Sequence, residues 1–192
     1  MRKIFNDGLY FVVEYEQKDY AGHENEYDEL MKRIVASYEY DNDDYNDAQA
    51  MGELNKYNEE FFGLQENDGR FFVLYSKVGN KKSPISFAIF SKSDRPNAFH
   101  LEYICTHNDY TGSGFAELLF EQSAIALKSE NCKEITSVVN NKNFASQALH
   151  NSFSKKYGVE TYINDLGDAS EYDFDISNMK ILKSTEEETQ AL

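Results

Sequence analysis

The stretch that decides the fold reads Leu101-Glu102-Tyr103-Ile104-Cys105-Thr106-His107-Asn108-Asp109-Tyr110-Thr111-Gly112-Ser113-Gly114-Phe115-Ala116. Its first half is apolar and aromatic and reads as a strand. A short polar turn follows, and closely spaced small residues then open a helix that continues through Leu118 and Leu119. A strand–turn–helix of this kind aims several unpaired backbone N–H groups, with the positive end of the helix dipole, at one spot. Such a spot binds phosphate or pyrophosphate. Gly112 and Gly114 remove side chains that would hold the anion away, and Ala116 lets the first turn come close. Neither the triple glycine of a Rossmann turn nor the Gly-Lys-Ser/Thr of a P-loop is present.

Upstream, Gly8 to Tyr15 reads as a first strand. His23 to Tyr40 is an amphipathic helix whose stripe holds Tyr27, Leu30, Met31, Ile34, Val35 and Tyr38. Asp41 to Asp44 breaks it and offers a cap for a second helix over about Tyr45 to Phe62. Phe71–Val78, Ile85–Ser91 and Phe99–Thr106 are strands joined by short polar turns, which favours an antiparallel meander. Downstream come a helix over Gly112–Ser129, a strand over Glu134–Val139, a helix over Lys142–Tyr157, and strands near Glu160–Ile163 and Glu171–Ile176. The order implies one α+β domain over residues 1–182, its mixed sheet locally parallel where a strand-helix-strand unit crosses over. Residues 183–192 form a polar, acidic tail that is expected to be flexible.

Composition narrows the partners. The formal charge is −15, and residues 1–66 alone hold 17 Asp/Glu against 6 Lys/Arg. A field of that sign repels nucleic acid and attracts cationic ligands such as amines; it also serves plainly as a solubilising surface. No apolar run is long enough to span a bilayer, and the charged start Met1-Arg2-Lys3 does not resemble a signal peptide. Cys105 and Cys132 sit in apolar surroundings typical of buried free thiols, so a reducing, cytoplasmic setting is the expectation. No metal site is expected. His23, His100 and His107 form no ligand pattern with the cysteines, and Asp41–Asp47 lacks the glycine of a calcium loop.

The run Thr111-Gly112-Ser113-Gly114-Phe115-Ala116 resembles the acetyl-CoA-binding signature of the GNAT superfamily, Arg/Gln-x-x-Gly-x-Gly/Ala. Leu101-Glu102 resembles a Leu-Glu pair that many members, aminoglycoside 6′-N-acetyltransferases among them, carry nine residues before the signature's first position. A second block, Asn143-Phe144-Ala145-Ser146-Gln147-Ala148-Leu149-His150 followed by Lys156-Tyr157-Gly158-Val159, is similar to the family's Asn-x-x-Ala/Ser-x-x-Leu-Tyr segment. The specific matches span residues 101–159. Three departures stand out. Thr111 replaces the usual Arg or Gln, Asn108 stands where Pro is common, and His150 takes the place of the Tyr.

The resemblance implies the GNAT fold: a mixed, mostly antiparallel twisted sheet of about seven strands, flanked by helices, with strands splayed at the CoA site. It implies acetyl-CoA as co-substrate and an N-acetyltransferase in which a primary amine attacks the thioester directly. The implied donor-binding residues are Cys105, Thr106 and His107 through their backbones, then Thr111, Gly112, Ser113, Gly114, Phe115 and Ala116, with Asn143 and Ser146 from the second block. Glu102 is the implied base, directly or through water, and His150 or, in competition, Tyr157 the donor to the leaving thiolate. The acidic first third of the chain points to a cationic acceptor: a polyamine, an aminoglycoside-like amine or a peptide amine. The alternative is a GNAT-fold protein that holds CoA or a regulatory partner without turnover. A homodimer is left open.

Overall fold

The computed structural model describes residues 1–16, 69–79 and 81–180. Its strands are β1 (Arg2–Asn6), β2 (Tyr10–Glu16), β3 (Arg70–Val78), β4 (Lys81–Lys92), β5 (Ala98–Thr106), β6 (Glu134–Asn140), β7 (Glu160–Asp165) and β8 (Ala169–Asp175). They form one eight-stranded sheet in the order β1-β2-β3-β4-β5-β6-β8-β7. Every neighbouring pair is antiparallel except β5–β6, which is parallel. A parallel pair needs a crossover, and α1 (Phe115–Ser129) supplies it. A second helix, α2 (Phe144–Tyr157), lies between β6 and β7 in the chain.

The sheet has one strand more than expected. The addition is β1, whose Arg2 and Lys3 hide it from a pattern search; it is an outer strand that pairs with β2 alone. The helices expected over His23–Tyr40 and about Tyr45–Phe62 lie outside the described residues, as does the tail from Lys183. No described helix is long and apolar enough to cross a membrane.

The middle of the sheet is buried on both faces, which is why Phe71-Phe72-Val73-Leu74 runs apolar without alternation. Val12, Phe72, Leu74, Ala88 and Phe90 face α1 and α2. Phe11, Val13, Phe71, Val73, Phe87 and Ile89 pack together on the opposite face. The inward stripe of α1 is Leu119, Phe120, Ser123, Ala124, Ala126 and Leu127. Phe120 is the hub: its ring stacks on Phe153 of α2 at 4.3 Å, meets Phe174 of β8 edge-on at 5.8 Å, and lies 6.5 Å from Phe90 of β4. Both cysteines are buried free thiols, and burial pushes Cys132 up to about 11.

An ion network ties the β1–β3 end to the end of α1. Glu14, buried on β2, pairs with Arg2 of β1 and Arg70 of β3, and both arginines also reach Glu130 just past α1. Burial raises the Glu14 pKa, and the Arg2 hydrogen bond opposes that rise.

The feature that positions the site is a β-bulge in β5. Phe90 stands opposite Leu101 and Ile89 opposite Tyr103, so Glu102 is an extra residue with no partner on β4. An extra residue shifts the alternation by one place. Before it, Phe99 and Leu101 face the helices; after it, Ile104 does, while Tyr103 and Cys105 face the other way. The β5–β6 ladder ends at the same point, its last pair being Leu101 with Ser137.

Candidate active site

Beyond Leu101 the two parallel strands part: β5 runs on to Thr106 beside β4 only, and β6 runs on to Asn140 beside β8. A groove of about 680 Å³ opens at this gap, bounded by β5, the Tyr110–Ala116 turn and α2. The N–H of His107 donates to the carbonyl of Ile85 at 2.7 Å, so residues 105 and 107 turn their backbones towards β4. Residues 104 and 106 therefore turn theirs towards the gap. This corrects the expectation for the backbones of Cys105 and His107: the Cys105 carbonyl accepts from Ser86 Oγ, the His107 N–H is used by Ile85, its carbonyl accepts from the N–H of Tyr110, and its ring is not among the groove lining. Ile104, which sequence reading passed over, takes that place on the strand.

The turn after β5 is a single 3-10 turn, Asn108–Tyr110, closed by Thr111, whose hydroxyl donates to the carbonyl of Asn108 at 2.9 Å. α1 starts at Phe115 rather than Gly112. Gly112 (φ 72°) and Gly114 (φ 80°) both adopt left-handed backbone, and a Cβ on either would meet no protein atom within 4 Å. The need for glycine here is conformational, and the space beside both residues is open to a ligand. Gly114 is the N-cap of α1, and no side chain caps the helix. The first-turn N–H groups thus face the groove with the positive end of the dipole.

Of the expected donor-binding residues, Cys105, Thr106, Thr111, Gly112, Gly114, Phe115, Ala116, Asn143 and Ser146 line the groove. Ser113 does not; its N–H points back to the carbonyl of Tyr110. Asn143 is the N-cap of α2, accepting from the N–H of Ser146 at 3.0 Å, so a second helix N-terminus also borders the groove. Residues that sequence reading missed are Tyr103 and Tyr110, with Glu117 of α1 and Ala145, Ala148, Leu149 and Ser152 of α2. The α2 set had a readable signal: 145, 148, 149 and 152 make one helical stripe, beside another through 150, 153 and 157.

The second stripe is core. His150 is 1% exposed, its Nδ1 bonds the carbonyl of Ser146 at 2.7 Å, and its ring packs among Phe120, Tyr172 and Phe174. Desolvation lowers its pKa to about 4. Tyr157 is likewise buried, and desolvation raises it to about 12. Neither lines the groove, which corrects the expectation that either protonates a leaving thiolate there. Glu102 is not among the groove lining either; it stands at the β5 bulge, one residue past the last β5–β6 pair. It is exposed, and its Oε1 accepts from the Ser91 hydroxyl at 2.5 Å on the sheet face away from α1 and α2.

His150 gives a prediction about stability. Its folded pKa lies below the ordinary 6.5, so the unfolded chain takes up a proton first as pH falls. The native state should therefore lose stability between pH 6.5 and about 4, by roughly 3 kcal/mol at most from this group. His150→Phe should flatten that part of the curve. Urea denaturation of both proteins across this range checks it, because other groups such as Glu14 contribute equally to each.

The sheet thus parts beside an uncapped, glycine-opened helix start, with a groove between them. The family model described as the acetyltransferase (GNAT) family matches residues 27–154, and the chain belongs to that family. Acetyl-CoA is accordingly its acyl donor. Solved structures share the fold. The PaiA N-acetyltransferase of Thermoplasma acidophilum, in complex with coenzyme A, superposes with a TM-score of 0.57 at 13% identity, over 86% of this chain and 98% of that one. The ribosomal-protein-S18-alanine N-acetyltransferase of Escherichia coli gives 0.53 at 14%, over 92% and 98%. A GNAT-family acetyltransferase of Staphylococcus aureus Mu50 gives 0.53 at 15%, over 87% and 99%. A search of curated protein sequences found no match.

Proposed function

We propose that this chain transfers acetyl from acetyl-CoA to the primary amine of a cationic acceptor by direct attack. The observation that carries the proposal is the gap between β5 and β6 opening beside the uncapped start of α1. Backbone N–H groups of Gly112, Gly114, Phe115 and Ala116 hold the pyrophosphate. The backbone of Ile104 and Thr106 runs along the pantetheine arm, and Asn143 and Ser146 close the other wall. When bound, the donor supplies a thioester whose carbonyl carbon takes the amine nitrogen while the C–S bond breaks. Glu102, oriented by Ser91, accepts the amine proton directly or through water, and can return it to the thiolate by the same water. Holding amine and carbonyl in register supplies much of the rate. The acceptor class follows from the −15 charge, which favours cations by long-range attraction.

The test is release of free CoA from acetyl-CoA over a panel of amines. Polyamines, aminoglycoside-like amines and peptide amines should react, and Gly114→Val should slow the reaction sharply at limiting acetyl-CoA. That variant forces a side chain into left-handed backbone and into the phosphate's path, and losing one or two such hydrogen bonds weakens CoA binding about 10- to 100-fold. Reaction with neutral or anionic amines alone would sink the acceptor class. A second reading, CoA binding without turnover, draws on the burial of His150 and Tyr157, which leaves the groove without either expected acid. Thermal stabilisation by CoA with no thiol release on any amine would favour it.

A further inference from the structure

Coenzyme A carries an adenosine 3′-phosphate as well as its pyrophosphate, and the two need separate compensation. The α1 start serves the pyrophosphate with N–H groups. Elsewhere the described groove lining holds no Lys or Arg, and it holds one carboxylate, Glu117. Glu117 stands in the first turn of α1 and is engaged from α2 on both oxygens. Ser152 Oγ donates to Oε2 at 3.1 Å, and Lys156 Nζ donates to Oε1 at 2.8 Å. Lys156 thus contacts a residue of the groove lining without belonging to that lining, with its side chain 43% exposed and its ammonium lying above the Tyr157 ring at 5.2 Å. An ammonium has three donors on a flexible stem, so it can keep Glu117 and still take a second oxygen.

We infer that Lys156, held at the groove by Glu117, is the residue that recognises the donor's adenosine 3′-phosphate and makes the protein select CoA over dephospho-CoA. The inference rests on the donor site proposed above. Without Lys156 the carboxylate of Glu117 would face an incoming phosphate unscreened. With it, the pair is close to neutral and retains donors for an anion. A purely structural role is the competing account, since the same ion pair also staples α1 to α2.

Calorimetric titration of CoA and dephospho-CoA needs no acceptor and separates these accounts. The wild type should bind CoA about tenfold more tightly than dephospho-CoA, the value of one charge-assisted contact at a half-exposed site. Lys156→Met should bring the two ligands within about twofold, with most of the loss on CoA, while Lys156→Arg keeps the preference. Glu117→Gln should keep or enlarge it, because the ammonium is released and a like charge removed. A staple alone would give Lys156→Met and Glu117→Gln similar losses of Tm with the preference unchanged, and that result would overturn the inference. Equal binding of both ligands by the wild type would overturn it too, with the donor site intact. Binding of neither ligand would instead bring down the donor site itself, and the inference with it.

Discussion

Glu102→Gln should lower kcat by about 10²- to 10⁴-fold at neutral pH, the usual contribution of a positioned general base, and leave CoA affinity unchanged. The amide fills the same space and can keep the Ser91 contact, so the bulge and the groove survive. What it loses is the ability to take a proton from an incoming ammonium. Ser91→Ala should act in the same direction but more weakly, since it frees a carboxylate that remains able to ionise. Steady-state kinetics on the best acceptor, with CoA affinity measured alongside, check both. Full retention of kcat in Glu102→Gln would assign the amine's proton to another group.

Phe120→Ala should cost about 3–5 kcal/mol, the range for truncating a fully buried phenylalanine. The ring is 0% exposed and joins α1 to α2, β4 and β8, so no single neighbour can move in to fill the space. For a chain of this size that corresponds to a fall in Tm of about 10 °C. The effect should extend to donor binding, because the groove lies between the start of α1 and the outer stripe of α2. Denaturant melts with and without CoA check this: CoA should stabilise the variant less than the wild type at equal concentration. A loss below about 1 kcal/mol would show that the aromatic cluster repacks around the cavity.

Much of this was legible in the chain because the signals were local. The glycine pair at 112 and 114 marks a close approach beside a helix start, and both residues line the groove; their left-handed backbone is what the structure adds. The parallel β5–β6 pair followed from a strand-helix-strand order that permits nothing shorter. The strand Ile85–Ser91 was found but is longer, Lys81–Lys92, because Pro84 reads as a stop. It stands where the β3–β4 register shifts, a place that tolerates a residue with no N–H to give. The outer strand β1 was missed because it lacks the burial that alternation reports. His150 and Tyr157 were misread for a different reason. A family position names a residue type, but the face of α2 on which it falls depends on helical phase, and both fall on the stripe that Phe153 shares. Ile104 escaped notice because its contribution is backbone, which side-chain identity does not announce.

The extra residue in β5 has a consequence for how this chain can change. From Leu101 to Thr106 the strand works as a ruler: one residue out of step turns Tyr103 and Cys105 to one side and Ile104 to the other, and ends the ladder where the donor enters. For the register of β5 the side chain at position 102 is exchangeable, since an amide or even an alanine keeps the count. The count itself is not. Deleting one residue between Leu101 and the turn would bring aromatic side chains to the wrong face and draw β5 back towards β6, closing the groove without touching a single donor-binding group. Variation here should therefore appear as substitutions, while insertions and deletions should gather in the turns outside this stretch.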